Sequence, residues 1–195
     1  MKDITGVLAA AAEVEAFCRR QGWRFCFIGA IAVQRWGAPR FTHDVDLTLY
    51  TGLGSEERFV DLVLQHFPGR LRDARSFALT RRVLLARTDA GVDLDFALGA
   101  YPYEEACVAR ATIWHLSDAI SLMTCSAEDL VIHKVFAARD RDWSDVESVL
   151  VRQHGKLNLQ LIRRELPPLL ELKDDNESLA RLERMISAVD ARLGN

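Results

Sequence analysis

Two short segments of this chain alternate aspartate with apolar residues, the pattern of a strand with one buried face. They are Asp44-Val45-Asp46-Leu47 and Val92-Asp93-Leu94-Asp95-Phe96. Successive side chains of a strand point to opposite faces, so aspartates two positions apart share a face and lie roughly 6–7 Å apart along it. That spacing suits two divalent cations about 3.5–4 Å from each other, which makes a metal-dependent enzyme the first hypothesis.

A third segment, Phe27-Ile28-Gly29-Ala30-Ile31-Ala32, is an apolar strand that runs into glycine and then into a helical pattern. A glycine at a strand-to-helix turn lets backbone N–H groups approach a phosphate. Nucleotidyl transfer needs negative charge neutralised and an in-line geometry held, which carboxylate-bound Mg²⁺ ions supply. Asp44, Asp46 and a third carboxylate therefore predict a Mg²⁺ site that receives a nucleoside triphosphate. The residues alone leave the third carboxylate open between Asp93 and Asp95, because both share one strand face.

The composition favours a globular chain without a strong basic field. Of 195 residues, 49% are hydrophobic and 27% are charged, with 25 basic and 28 acidic side chains and a net charge of −3. Strong non-specific binding of nucleic acid is therefore not expected. A local basic patch remains open, because several arginines lie close together in the sequence. They are Arg70, Arg72, Arg75, Arg81 and Arg82.

Cysteine usage and the absence of long apolar runs predict a cytoplasmic protein with no membrane partner. Cys18, Cys26, Cys107 and Cys125 form no C-x-x-C pair and lie in apolar neighbourhoods, which predicts buried free thiols in a reducing compartment. The N-terminus has no basic-then-apolar signal pattern, and no apolar run reaches the length of a membrane span.

Hydrophobic periodicity and turn residues predict an α+β fold with two parts. Helices are expected at 4–21, 29 to about 37, 55–66 and 103–110, and strands at 25–28, 44–50, 83–88, 92–98 and 112–116. From Ser126 the pattern is helical, with breaks at Gly155 and at Pro167-Pro168. We therefore expect an α/β core over 1–122 and a helical region over 123–195 that packs on the active-site cleft.

The motifs then resemble a known family. Gly29-Ala30-Ile31-Ala32, Gly37 and Arg40-x-Thr42-x-Asp44-Val45-Asp46-Leu47 resemble the core motif of the DNA polymerase β-like nucleotidyltransferase superfamily. Lys134-Val135-Phe136-Ala137 and Asp142-Trp143-Ser144-Asp145 fit the K-x-x-A and D-x-x-D motifs of its AbiEii-type branch, the abortive-infection toxin nucleotidyltransferases. The resemblance spans roughly residues 25–150.

This resemblance implies the nucleotidyltransferase fold, a short mixed β-sheet flanked by helices with a C-terminal helical bundle. It implies an enzyme that transfers NMP from an NTP to a hydroxyl acceptor and releases pyrophosphate. The acceptor would be RNA, such as a tRNA end, or a protein, and the enzyme would be the toxin of a toxin–antitoxin or abortive-infection system with a cognate antitoxin. The alternatives are an aminoglycoside-like small-molecule acceptor, or a non-catalytic module that binds a nucleotide or a partner.

The resemblance also assigns the metal ligands. Asp44, Asp46 and Asp95 would be catalytic and would bind Mg²⁺ or Mn²⁺. Asp95 is preferred to Asp93 because Asp95-Phe96-Ala97-Leu98, followed by Pro102-Tyr103-Glu104-Glu105, matches the family's segment for the third carboxylate.

The same resemblance assigns the nucleotide-binding residues. Backbone amides at Gly29 and Ala30 would cradle the β- and γ-phosphates, and Lys134 would serve catalysis by pairing with the triphosphate. Asp142 would contact the nucleotide or position Lys134. Arg40 and Thr42 complete the nucleotide-binding set. One departure is Ala30, since many superfamily members have serine there and so gain a hydroxyl for a phosphate oxygen.

Overall fold

The computed structural model describes residues 4–194, in which both helices and strands occur up to residue 125 and only helices follow thereafter. The strands are β1 (Phe25–Phe27), β2 (Asp44–Tyr50), β3 (Val83–Arg87), β4 (Asp93–Gly99), β5 (Thr112–His115) and β6 (Ser121–Thr124). The helices are α1 (Ile4–Arg20), α2 (Gly29–Trp36), α3 (Glu56–His66), α4 (Ala74–Arg81), α5 (Pro102–Arg110), α6 (Ala127–Ala137), α7 (Asp140–Arg152), α8 (Leu159–Glu171) and α9 (Ser178–Leu193).

The strands of the described residues form one mixed sheet in the order β3-β4-β2-β1-β6-β5. The pairs β2–β4 and β1–β6 are parallel, and the other neighbours are antiparallel. Val45, Leu47, Leu94 and Phe96 are fully buried, so the central strands β2 and β4 turn one face into the core. The predicted α+β fold with a short mixed sheet, flanking helices and a C-terminal helical region is confirmed.

The chain divides into two units. The first contains the residues up to Ile31 together with Phe41–Cys125, and it includes the whole sheet. The second contains Ala32–Arg40 and the chain from Ser126 onward, where α6 packs against α7, α8 and α9. The division falls three residues beyond the boundary expected from the sequence, and it adds Ala32–Arg40 to the helical unit.

Several predictions about strand bounds, a hairpin and a helix start are confirmed. The residues that determine these features contact atoms close to them in the sequence. The strand predicted from Asp44 to Tyr50 has those bounds, and β3 and β4 form the hairpin expected around Asp89-Ala90-Gly91. The side chain of Ser126 accepts a hydrogen bond from the amide of Asp129 at the start of α6, as the capping pattern predicts.

The predicted break at Pro167-Pro168 is wrong, since α8 continues through both prolines. Each proline lacks an N–H and leaves a carbonyl of the preceding turn without its helical donor. Those carbonyls belong to Arg163 and Arg164, two exposed residues of the helix. Burial of Leu166 and Leu170 on the opposite side of the helix favours its continuation.

The four cysteines are buried and form no disulfide, as their apolar neighbourhoods predict. Among residues 4–194, no helix combines the length and the apolar composition needed to cross a membrane.

Candidate active site

Four aspartates lie on one face of the central strands. In the parallel pairing of β2 with β4, Asp44 is opposite Asp93 and Asp46 is opposite Asp95. The residues between them are fully buried, whereas all four aspartates remain partly exposed. The strand alternation predicted from the sequence therefore places both pairs of carboxylates on the same solvent-accessible face.

The turn between β1 and α2 brings a glycine against one of these carboxylates. Gly29 has a φ of +55°, in the left-handed region that favours glycine. A methyl group built on Gly29 would lie 2.1 Å from Oδ2 of Asp46. The amide of Ile28 donates to the carbonyl oxygen of Asp46 at 3.0 Å, which fixes the turn to β2. Gly29 and Ala30 thus begin α2 directly beside the Asp46 side chain.

Substituting Gly29 by alanine should lower the free energy of unfolding by about 3 kcal/mol, because the new methyl group adds a clash to the backbone strain. Gly52→Ala is the matched control, since Gly52 has a φ of +72° but nothing lies within 4 Å of an added methyl group. We expect that control to lose only about 1 kcal/mol in urea unfolding. Equal losses in the two variants would show that the contact with Asp46 does not require glycine.

Thr42 orients Asp44. The threonine is buried, and its Oγ1 donates to Oδ1 of Asp44 at 2.5 Å. Thr42 was predicted from the sequence to bind the nucleotide, and in the structure it is hydrogen-bonded to the first carboxylate of the strand. A carboxylate held in this way loses rotamer freedom and keeps its second oxygen for another ligand.

Arginines distinguish the two carboxylates of β4. Asp93 accepts hydrogen bonds from Nε of Arg87 at 2.7 Å and from Nη1 of Arg70 at 3.0 Å, whereas Asp95 forms an ion pair with Nη2 of Arg70. Burial acts to raise the pKa of Asp93, but the two arginines outweigh it and hold the pKa below its ordinary value. Burial raises the pKa of Asp95, and the neighbouring Asp44 and Asp93 charges add to that rise against the opposing effect of Arg70.

The chemistry of this donor set fits Mg²⁺, which prefers oxygen ligands and is commonly held by one or two carboxylates together with substrate phosphates. Among residues 4–194, no three Asp, Glu, His or Cys side chains converge into a complete metal-binding group. The carboxylates of Asp44, Asp93 and Asp95 instead engage Thr42, Arg70 and Arg87.

A second charged cluster lies in the helical unit. Nζ of Lys134 is 2.9 Å from Oδ1 of Asp142 and 2.8 Å from Oδ2 of Asp145. Arg40 binds Asp145 through Nε at 2.7 Å and Nη2 at 2.9 Å, and Nε of Arg139 lies 2.7 Å from Asp142. Lys134, Asp142 and Asp145 are all buried. The structure thus joins Lys134, Asp142 and Arg40, three predicted site residues, through Asp145.

The cluster predicts an acid-dependent loss of stability. Burial acts to raise the pKa of Asp142, but hydrogen bonds from Arg139 and Lys134 outweigh it and hold the pKa below its ordinary value of 3.8. Stability from a lowered pKa is complete above the unfolded pKa and is lost as the pH falls through the folded one. Urea unfolding from about pH 6 to about pH 3 should therefore show a steeper decline in wild type than in Asp142→Asn. Parallel declines would assign the acid sensitivity to other groups.

The site residues fall into one set in each unit. Gly29, Ala30, Thr42 and the carboxylates lie in the first unit, and Arg40, Lys134 and Asp142 lie in the second. Arg70 was predicted from the sequence only as part of a basic patch, with no role in the site. No local pattern identifies its partners, because they follow it by more than twenty residues and meet it only in the folded sheet.

No family model matches the chain, and no curated protein sequence matches it. Among solved structures, it is similar to an antigenic nucleotidyltransferase-like protein from Paracoccidioides brasiliensis, with 14% identity, coverage of 96% of both chains and a TM-score of 0.51. The antibiotic-resistance factor ANT(2'')-Ia aligns with 14% identity over 91% of this chain and 95% of its own, with a TM-score of 0.49. A CCA-adding enzyme in complex with CTP aligns with 12% identity over 92% of this chain and 50% of that one, with a TM-score of 0.36. The likeness to the Paracoccidioides protein, together with the mixed sheet and the helices that follow it, shows that this chain has the nucleotidyltransferase fold.

Proposed function

We propose that this chain is a metal-dependent nucleotidyltransferase that transfers NMP from an NTP to a hydroxyl acceptor and releases pyrophosphate. The observation that carries the proposal is the shared strand face on which Asp44 and Asp46 lie opposite Asp93 and Asp95. Beside this face, the Gly29 turn begins a helix against Asp46, where backbone amides favour an anion.

Asp44, Asp46 and Asp95 would hold Mg²⁺ or Mn²⁺, which when bound neutralises phosphate charge and polarises the reacting phosphoryl group. Amides at Gly29 and Ala30 would donate hydrogen bonds to the β- and γ-phosphate oxygens. The carboxylate of Asp95 would accept a hydrogen bond from the attacking hydroxyl.

Lys134 would pair with the triphosphate, as the sequence resemblance implies. Its ammonium is buried and contacts the carboxylates of Asp142 and Asp145, which hold it in a fixed position. Asp142 would then act by positioning the Lys134 ammonium, with which it is already in contact.

The motifs of the second unit support an AbiEii-type toxin nucleotidyltransferase, whose acceptor would be RNA, such as a tRNA end, or a protein. A cognate antitoxin would accompany such an enzyme. A short RNA end requires only a local basic surface and not a basic protein.

A small-molecule acceptor is the second candidate, and three of the five arginines expected to form a basic patch favour it because they pair with acids. Arg75 pairs with Asp61 and Glu57, Arg82 pairs with Glu56, and Arg70 pairs with the aspartates of β4. Arginines neutralised by acids contribute little attraction to a phosphate backbone.

The test is transfer of label from α-³²P-labelled NTPs in the presence of Mg²⁺ to total RNA, to a cell-protein extract or to a panel of aminoglycosides. Metal-dependent label on RNA or protein would support the first acceptor class, and label on the aminoglycosides would support the second. Binding of an NTP without transfer to any acceptor would favour a non-catalytic nucleotide-binding module. Asp44→Asn/Asp46→Asn is the control that should show no transfer in any arm.

A further inference from the structure

Arg70 is anchored at the edge of the sheet and reaches the aspartates of β4. Its backbone amide donates to the carbonyl oxygen of Leu85 at 3.0 Å, beside a bridge between Gly69 and Ala86 on β3. Its guanidinium spans both carboxylates, with Nη1 3.0 Å from Asp93 and Nη2 paired with Asp95. The side chain is 20% exposed, so this contact is largely shielded from solvent.

Electrostatic attraction to the aspartates explains the position of the Arg70 guanidinium better than hydrogen bonding does. Nε of Arg70 is buried and has no hydrogen-bond partner among the described residues, and an unpaired buried donor is unfavourable. Four carboxylates share the strand face, and their mutual repulsion favours any cation placed among them. Arg87, by comparison, is 51% exposed and pairs with Asp93.

We propose that Arg70 is a positioning residue that balances the charge of Asp95 until a divalent cation binds, and that it competes with that cation for the carboxylate. This inference rests on the proposed metal-dependent function. The guanidinium holds Asp95 in place on the shared face. It also makes the affinity of the carboxylates for a divalent cation lower than it would be without the arginine. Metal binding is therefore favoured by a negatively charged ligand that neutralises the displaced guanidinium, and the triphosphate of the substrate carries such charge.

Arg70→Gln should therefore bind Mn²⁺ about tenfold more tightly than wild type in the absence of nucleotide, because a positive charge within a few ångströms of the metal ligands is removed. Arg70→Lys keeps the charge and should stay within about twofold of wild type. Arg87→Gln is the matched control, since it removes an exposed arginine from Asp93 only, and it should also change the affinity less than about twofold. The readout is the electron paramagnetic resonance signal of free Mn²⁺, with circular dichroism to confirm that each variant is folded.

The outcomes of this experiment distinguish the proposed competition by Arg70 from metal binding itself. Tighter Mn²⁺ binding by Arg70→Gln alone supports the inference. Binding by wild type, with equal or weaker binding by Arg70→Gln, overturns the competing role of Arg70 and leaves the metal site intact. Equal tightening in Arg87→Gln also overturns it, because the effect would then be a general response to lost positive charge. Absence of Mn²⁺ binding in wild type and all variants rejects both the inference and the metal-dependent function.

Discussion

Replacing Asp95 by asparagine is expected to reduce NMP transfer by about a thousandfold or more, whereas Asp93→Asn should reduce it less than about tenfold. The two residues share a strand and a face, so the comparison holds the local structure nearly constant. An amide has nearly the shape of the carboxylate but lacks the negative charge that a divalent cation requires. The measurement is the initial rate of labelled transfer at saturating NTP and Mg²⁺.

The structure distinguishes these carboxylates by their neighbours. Asp95 lies opposite Asp46, the carboxylate that packs on the Gly29 turn, and it is close enough to Asp44 for that charge to raise its pKa. Asp93 is instead held between Arg70 and Arg87. A thousandfold loss in Asp93→Asn with activity retained in Asp95→Asn would reverse the assignment of the third metal ligand.

Substituting Lys134 by methionine is expected to lower the free energy of unfolding by about 3 kcal/mol, because two buried carboxylates lose the cation that they share. The Lys134 side chain is 8% exposed, and those of Asp142 and Asp145 are 2% and 4% exposed. Methionine preserves most of the apolar stem, so lost packing contributes little. The measurement is urea unfolding without nucleotide, which separates this structural effect from any role in binding a triphosphate.

Arg139→Met provides the matched control for that prediction. Arg139 also pairs with Asp142, but its side chain is 76% exposed, and an exposed ion pair contributes about 1 kcal/mol or less. Similar losses in the two variants would contradict a specific contribution from the buried ammonium. An unchanged stability in Lys134→Met would show that the remaining arginines neutralise both carboxylates.

Local sequence patterns predicted those helices and strands whose conformation depends mainly on their own residues. Alternation identified β2 and β4, and Ser126 identified the start of α6. Two elements without such signals were missed. Strand β6 has only four residues and is defined by its pairing with β1 and β5. Helix α4 has only two buried residues, Ala74 and Ala78, so it shows no clear apolar face in the sequence. Both depend on contacts that are distant in sequence.

The candidate site, too, was predictable only where the related residues are close together in the sequence. Strand periodicity predicted that Asp44 shares a face with Asp46 and that Asp93 shares a face with Asp95, because each relation is local to one strand; the pairing of β2 with β4 brings the two faces together. The choice of Asp95 over Asp93 came from the family resemblance. The pairing of Arg70 with Asp95 and that of Arg40 with Asp145 join residues far apart in the chain, and no spacing rule connects them. Family resemblance identified Lys134 and Asp142, and the structure adds their mutual ion pair. Their role toward a nucleotide stays a prediction.

The proposed function requires this chain to bind a nucleoside triphosphate through a divalent cation on the face formed by β2 and β4. Calorimetric titration of the wild-type protein with each common NTP, once with Mg²⁺ and once with a chelator, measures that binding. We expect at least one NTP to bind with Mg²⁺, and we expect binding to be lost with the chelator and in Asp44→Asn/Asp46→Asn. Failure of every NTP to bind the folded protein, or equal binding with and without metal, would contradict it.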